Sequence, residues 1–121
     1  MPYADSDFLL ALLKPDDWLK GGAERILRTH RGKIWTSILA LAEVLMVGRA
    51  FGLNPERVVS GILDVVEVSE SDRGIALRAA VLLSRYGLST FDAFHAAFAE
   101  DEEIISSDGV YDKVGLRRIR L

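Results

Sequence analysis

Apolar and polar positions along this chain alternate between two kinds of pattern. Brief apolar runs of four or five residues separate longer stretches in which apolar side chains recur every three to four positions. The brief runs read as strands: "PYAD" (2–5), "KIWT" (33–36), "VVEV" (65–68), "EIIS" (103–106) and "RRIRL" (117–121). Between them lie helical stretches. "FLLALLK" must stop before Pro15. "DDWLKGGAERILRTHRG" opens on two acids, is weakened by Gly21 and Gly22, and ends at Gly32. "ILALAEVLMVGRAFG" follows Thr36 or Ser37 as cap and is apolar nearly all round, which predicts a buried helix. "NPERVVSGILD" carries Asn54 as N-cap and Pro55 at the first helical position. "SESDRGIALRAAVLLSRYG" places apolar residues at 75, 79, 82, 83 and 86 and stops at Gly87. "STFDAFHAAFAEDEE" is capped by Ser89 or Thr90, with its phenylalanines and His95 on one stripe. Strands alternating with helices predict an α/β fold around a parallel sheet of about five short strands. Ligands of such sheets bind beyond the carboxyl ends of the strands.

Composition narrows the chemistry. A chain of 121 residues is expected to form one domain, residues 1–121, large enough for a core of its own. With no cysteine, disulfides, thiolate zinc sites and thiol catalysis are excluded. No apolar stretch is long enough to span a membrane, and "MPYADSDFLLALLK" lacks a basic signal-peptide start, so a cytoplasmic protein is expected. The formal net charge of −3 offers no global attraction to nucleic acid. Two basic clusters, "RTHRGK" (28–33) and "KVGLRRIR" (113–120), could supply it locally, although either alone reads as solvated surface.

Four acids are out of place. Glu43 is the only charged residue between Thr36 and Val47, in the helix predicted to be buried, where a carboxylate needs an arginine such as Arg49 or Arg78, a metal or a proton. Asp5 ends the first predicted strand and could equally cap the next helix. Asp92 lies in a first helical turn, where the helix dipole alone would favour it. Asp108 follows the fourth predicted strand and could be a simple turn acid before Gly109. All four can converge on one sheet edge. Clustered carboxylates need a cation, and all-oxygen ligands suit Mg²⁺ or Mn²⁺. Such an ion lowers the pKa of a bound water and stabilises charge on a phosphoryl group, which is metal-assisted phosphodiester hydrolysis.

The segments "PYADSDFLLALL", "TSILALAEVL", "YGLSTFDAFHAAFA" and "IISSDGVYDKV" resemble, in order and spacing, the PIN domains, small nucleases typified by toxins of the VapBC toxin–antitoxin pairs. The resemblance spans essentially the whole chain. It implies a three-layer α/β/α fold with Asp5, Glu43, Asp92 and Asp108 as metal-site acids for RNA hydrolysis. Ser6 and Ser37 match accompanying polar positions, Ser106 would help position water or an acid, and Tyr111 matches an aromatic position. The resemblance further implies a homodimer, an RNA substrate and, for toxin members, an antitoxin partner. Arg117, Arg118 and Arg120 are the basic residues expected to meet RNA phosphates. Asp7 departs from the family's usual neutral residue.

Two rivals stand beside this reading. Asp5-Ser6-Asp7 also has the D-x-D form of haloacid-dehalogenase phosphatases, with Asp5 as nucleophile, Asp7 as general acid, and Asp108 and Asp112 as the late acid pair. That reading lacks a well-placed lysine and leaves Glu43 and Asp92 unused. A PIN-like scaffold that binds RNA or protein without cutting is the non-enzymatic alternative. Asp112 matters only to the phosphatase. Under the nuclease reading it is a turn or helix-start acid.

Overall fold

A computed structural model describes residues 2–120. Six helices follow in order: α1 (Ser6–Leu13), α2 (Lys20–Thr29), α3 (Ile38–Ala50), α4 (Pro55–Val65), α5 (Glu70–Tyr86) and α6 (Thr90–Ala99). Strand β1 (Ile104–Ile105), a 3-10 helix (Gly109–Val114) and strand β2 (Arg118–Ile119) complete the chain. All five segments expected to be strands carry parallel pairing. Tyr3 bridges Trp35 and Trp35 bridges Glu67, while β1 pairs with β2. The first three segments make single bridges and the last two a two-residue ladder, so the sheet is far more fragmentary than a continuous five-strand sheet. Leu121, in the last predicted strand, and Met1 lie outside the described residues. Parallel pairing needs long crossovers, and the helices supply them, which makes the fold α/β.

Local chemistry explains most boundaries. Asn54 accepts from the Arg57 amide at 3.0 Å, with Pro55 opening α4. Gly87 adopts φ 64° and stops α5 in the left-handed region that glycine takes without strain. Helix α2 begins later than its sequence suggests. Asp17 Oδ1 accepts from the Leu19 amide at 2.9 Å, which holds residues 16–19 in a turn and puts Gly21 and Gly22 in the helix's first turn. The core is assembled mainly from Leu9 of α1, Leu41 and Val44 of α3, and Val59 and Ile62 of α4, all at most 2% exposed.

Helix α3 corrects two expectations. It is buried along Ala40, Leu41, Ala42, Val44, Leu45 and Gly48, whereas Leu39, Glu43, Met46 and Val47 face outward. A helix apolar on every side has no periodicity to reveal which face is covered. Its N-terminus is also capped from elsewhere. Thr36 Oγ1 donates to the Ala4 carbonyl at 2.8 Å and the Ser37 hydroxyl pairs with that of Tyr3 at 2.8 Å. The Ile38 amide donates instead to Asp72 Oδ2 of α5, at 3.2 Å. Asp72→Ala is therefore expected to destabilise the fold by about 1 kcal/mol, within the range of lost helix caps. An unchanged urea midpoint would refute this role.

Among the described residues no helix is long and apolar enough to cross a membrane.

Candidate active site

Asp5 and Asp108 lie just beyond strand segments, Glu43 lies on the helix that follows the Trp35 bridge, and Asp92 lies in the first turn of α6, which follows α5. Asp5 follows the Tyr3 bridge and is the N-cap of α1, its Oδ1 accepting from the Ser6 amide at 2.6 Å. The Ser6 hydroxyl lies 3.4 Å from the same oxygen and 3.2 Å from Glu43 Oε2. Ser6 therefore bridges Asp5, at the start of α1, to Glu43, within α3. Glu43 is exposed rather than buried, so its charge needs no burial partner. The arginines considered for it are engaged elsewhere: Arg49 donates to the Leu88 carbonyl at 2.8 Å, and Arg78 pairs with Glu100 at 2.7 Å.

Asp92 and Asp108 form a second group around Tyr111. The Tyr111 hydroxyl donates to Asp92 Oδ1 at 3.3 Å. Burial, first, and then the Asp92 carboxylate, with a smaller contribution from Asp108, push the Tyr111 phenol above its ordinary pKa. Asp108 Oδ1 caps the 3-10 helix by accepting from the Val110 amide at 2.9 Å, and its own amide donates to the Ser106 hydroxyl at 3.0 Å. The stripe expected on α6 divides: Phe94 is buried, whereas Phe91, His95 and Phe98 are exposed.

The single cluster of four acids expected from the sequence is not seen among the described residues. Among the described residues, no three His, Asp or Glu side chains come together closely enough to hold a metal ion. The acids stand as two groups: Ser6 links Asp5 to Glu43, and Tyr111 bonds Asp92 from within the 3-10 helix that Asp108 caps. Helix α3, which carries Glu43, packs against both α1 and α6 and so spans the two pairs. The donors are all oxygen. Mg²⁺ commonly takes one or two carboxylates and completes its shell with water and substrate phosphate, so either pair suits such an ion chemically. A cleft of about 370 Å³ lined by Leu27, Arg31, Asp64, Glu67 and Arg73 contains none of these acids.

Two further contacts escaped the sequence. Arg118 grips Asp112 with two bonds, Nε to Oδ1 at 3.1 Å and Nη2 to Oδ2 at 3.0 Å, and donates from Nη1 to the Ser106 carbonyl at 3.2 Å. Its side chain is only 8% exposed. Arg118 is thus tied into the loop that carries Asp108, and Arg117 and Arg120 remain as the exposed arginines of the basic C-terminal cluster. No local signal could have paired residues 112 and 118, since their contact depends on the 3-10 helix folding back onto β2.

Parallel strand segments joined by helices, with carboxylates gathered just past them, define an α/β domain with an open acidic site. A model of the PIN domain matches residues 3–116, and the chain belongs to the PIN domain family. Members of that family are generally nucleases that use divalent metal ions. No curated protein and no solved structure matches the chain.

Proposed function

We propose that the chain is a single PIN-like nuclease domain, residues 1–121, that hydrolyses RNA phosphodiester bonds with Mg²⁺ or Mn²⁺, the candidate ligands being Asp5, Glu43, Asp92 and Asp108 in their two pairs. The observation that carries this reading is the coupling of Asp5 to Glu43 through the Ser6 hydroxyl, within a chain whose family match reaches from residue 3 to 116. When bound, the ion supplies a water of lowered pKa and neutralises charge on the phosphoryl oxygens. The chain's own residues orient the donors. Ser6 holds Asp5 and Glu43 on one side, and the Ser106–Asp108 turn presents Asp108 on the other. Arg117 and Arg120 provide phosphate contacts, which makes binding weaken with salt.

The same reading includes a toxin role with an antitoxin partner and a homodimer. Exposed Leu39, Met46 and Val47 on α3 give a second copy an apolar surface to cover. The groove between α1 and α2, lined by Phe8, Ala11, Leu19, Ala23 and Ile26, suits an apolar peptide such as an antitoxin segment. Light scattering that gives only the monomer mass would remove the dimer, and a genome context without a small adjoining reading frame would weaken the toxin role.

Purified protein is expected to cleave single-stranded RNA with Mn²⁺ present and to stop when EDTA is added. Salt-sensitive RNA binding without metal-dependent cleavage would favour the non-catalytic scaffold. Hydrolysis of small phosphomonoesters with a phosphorylated Asp5 would favour the phosphatase, a reading the family match does not support.

A further inference from the structure

The resemblance matches Tyr111 to an aromatic position, and at this position the hydroxyl is the informative part. Tyr111 is 4% exposed. A phenol so deeply placed must find a hydrogen-bond partner. Its side-chain partner is Asp92 Oδ1, 19 residues earlier in sequence and on a different element. An ionised carboxylate can only accept, so the Tyr111 hydroxyl is the donor.

This contact has a geometric consequence. Asp92 sits half-buried in the first turn of α6, where its amide is already given to the Ser89 hydroxyl. Its backbone is fixed, but its carboxylate could still rotate. The hydroxyl engages Oδ1 and so selects one orientation, leaving Oδ2 as the oxygen free for another ligand among the described contacts. Tyr111 also lies within the 3-10 helix that Asp108 caps. One side chain therefore links the two acids of the second pair, one through a hydrogen bond and the other through the backbone.

We propose that the Tyr111 hydroxyl is a positioning group that fixes the Asp92 carboxylate for metal binding. The inference rests on the nuclease reading above and adds a residue that acts through Asp92 without touching the ion. Outer partners of metal-ligating groups typically change metal affinity by ten- to a hundredfold when removed. The hydroxyl can be deleted alone, because Tyr111→Phe keeps the ring that fills the buried space.

The test is calorimetric titration of Mn²⁺ into the full chain without RNA, comparing wild type with Tyr111→Phe. The variant is expected to bind Mn²⁺ about tenfold more weakly. The Mn²⁺ concentration for half-maximal RNA cleavage should rise in parallel. The KM for RNA at saturating Mn²⁺ should stay within about twofold, a split that general loosening of the fold would not produce. In an Asp92→Asn background, Tyr111→Phe should cause no further loss of Mn²⁺ affinity, and this non-additivity marks action through Asp92. Wild-type Mn²⁺ affinity in Tyr111→Phe would overturn the inference alone, and so would equal losses in the two backgrounds. A wild-type protein that neither binds Mn²⁺ nor cleaves RNA would overturn the nuclease reading, and this inference with it.

Discussion

Asp5→Asn is expected to abolish Mn²⁺-dependent cleavage of single-stranded RNA while the fold stays intact, and Asp92→Asn to do the same. Fold and charge can be separated at both positions. Asp5 uses Oδ1 to cap α1, and asparagine caps a helix about as well as aspartate, so the substitution keeps the local hydrogen bond and removes only the negative charge. At Asp92 the amide oxygen of asparagine can still accept from Tyr111. The structural cost is then the lost charge near the α6 N-terminus, about 0.3–1 kcal/mol. The expected catalytic cost is much larger. Losing a ligand that holds the ion removes several kcal/mol of charge stabilisation, and each ~1.4 kcal/mol is tenfold in rate, so activity should fall by about a hundredfold or more. Cleavage assays on RNA, beside far-ultraviolet dichroism and a urea midpoint, check both halves of the expectation. Full activity in either variant would remove that acid from the site.

Much of this arrangement was legible in the sequence, and the reasons differ by element. Helices with strong end signals read correctly: Asn54-Pro55 at the start of α4, and Gly87 at the end of α5, act through contacts within a few residues. Parallel pairing falls within all five segments expected to be strands, but only the last two form a ladder, since a strand exists only where a neighbour offers its carbonyls and amides. Residues 33–36 show this. The Trp35 amide donates to the Pro2 carbonyl and the Trp35 carbonyl accepts from the Ala4 amide, while the Thr36 amide donates to the Glu67 carbonyl and the Ile34 carbonyl accepts from the Glu67 amide; these bonds give that segment its parallel pairing. Burial was the harder property. The apolar surround of Glu43 suggested a covered carboxylate, whereas its face of α3 is open, which removes the electrostatic argument for a buried cation there but leaves the link through Ser6. The contacts hidden from the sequence all join residues brought together by the fold: Asp72 to the Ile38 amide, Tyr111 to Asp92, and Arg118 to both Asp112 and Ser106. Spacing can nominate an acid as a candidate, but it cannot say which neighbour will hold its carboxylate in place.

The two acids of "SDGVYD" provide the sharpest discrimination between readings, and they are expected to behave differently. Asp108→Asn should lose RNA cleavage by about a hundredfold, on the same argument as for Asp5. The amide oxygen of asparagine can still accept from the Val110 amide, so the 3-10 helix keeps its cap. Asp112→Asn should leave cleavage within about tenfold, because Asp112 faces Arg118 rather than the other acids, and a shift of the loop is the only route by which it could affect them. Its effect belongs to stability and to pH. The Arg118 hydrogen bond, and secondarily its charge, hold the Asp112 carboxyl below the usual aspartate pKa. A carboxylate with a depressed folded pKa stabilises the fold above its unfolded pKa, and that contribution disappears as pH falls through the folded value. Wild type should therefore be more stable than Asp112→Asn at neutral pH, with the two converging under acid. High salt should narrow the gap, since Asp112 is itself largely exposed. Thermal midpoints measured from neutral to strongly acidic pH would show the convergence, and parallel curves would refute it. If the phosphatase reading held, both substitutions would abolish activity. If the nuclease reading holds, Asp108→Asn alone will.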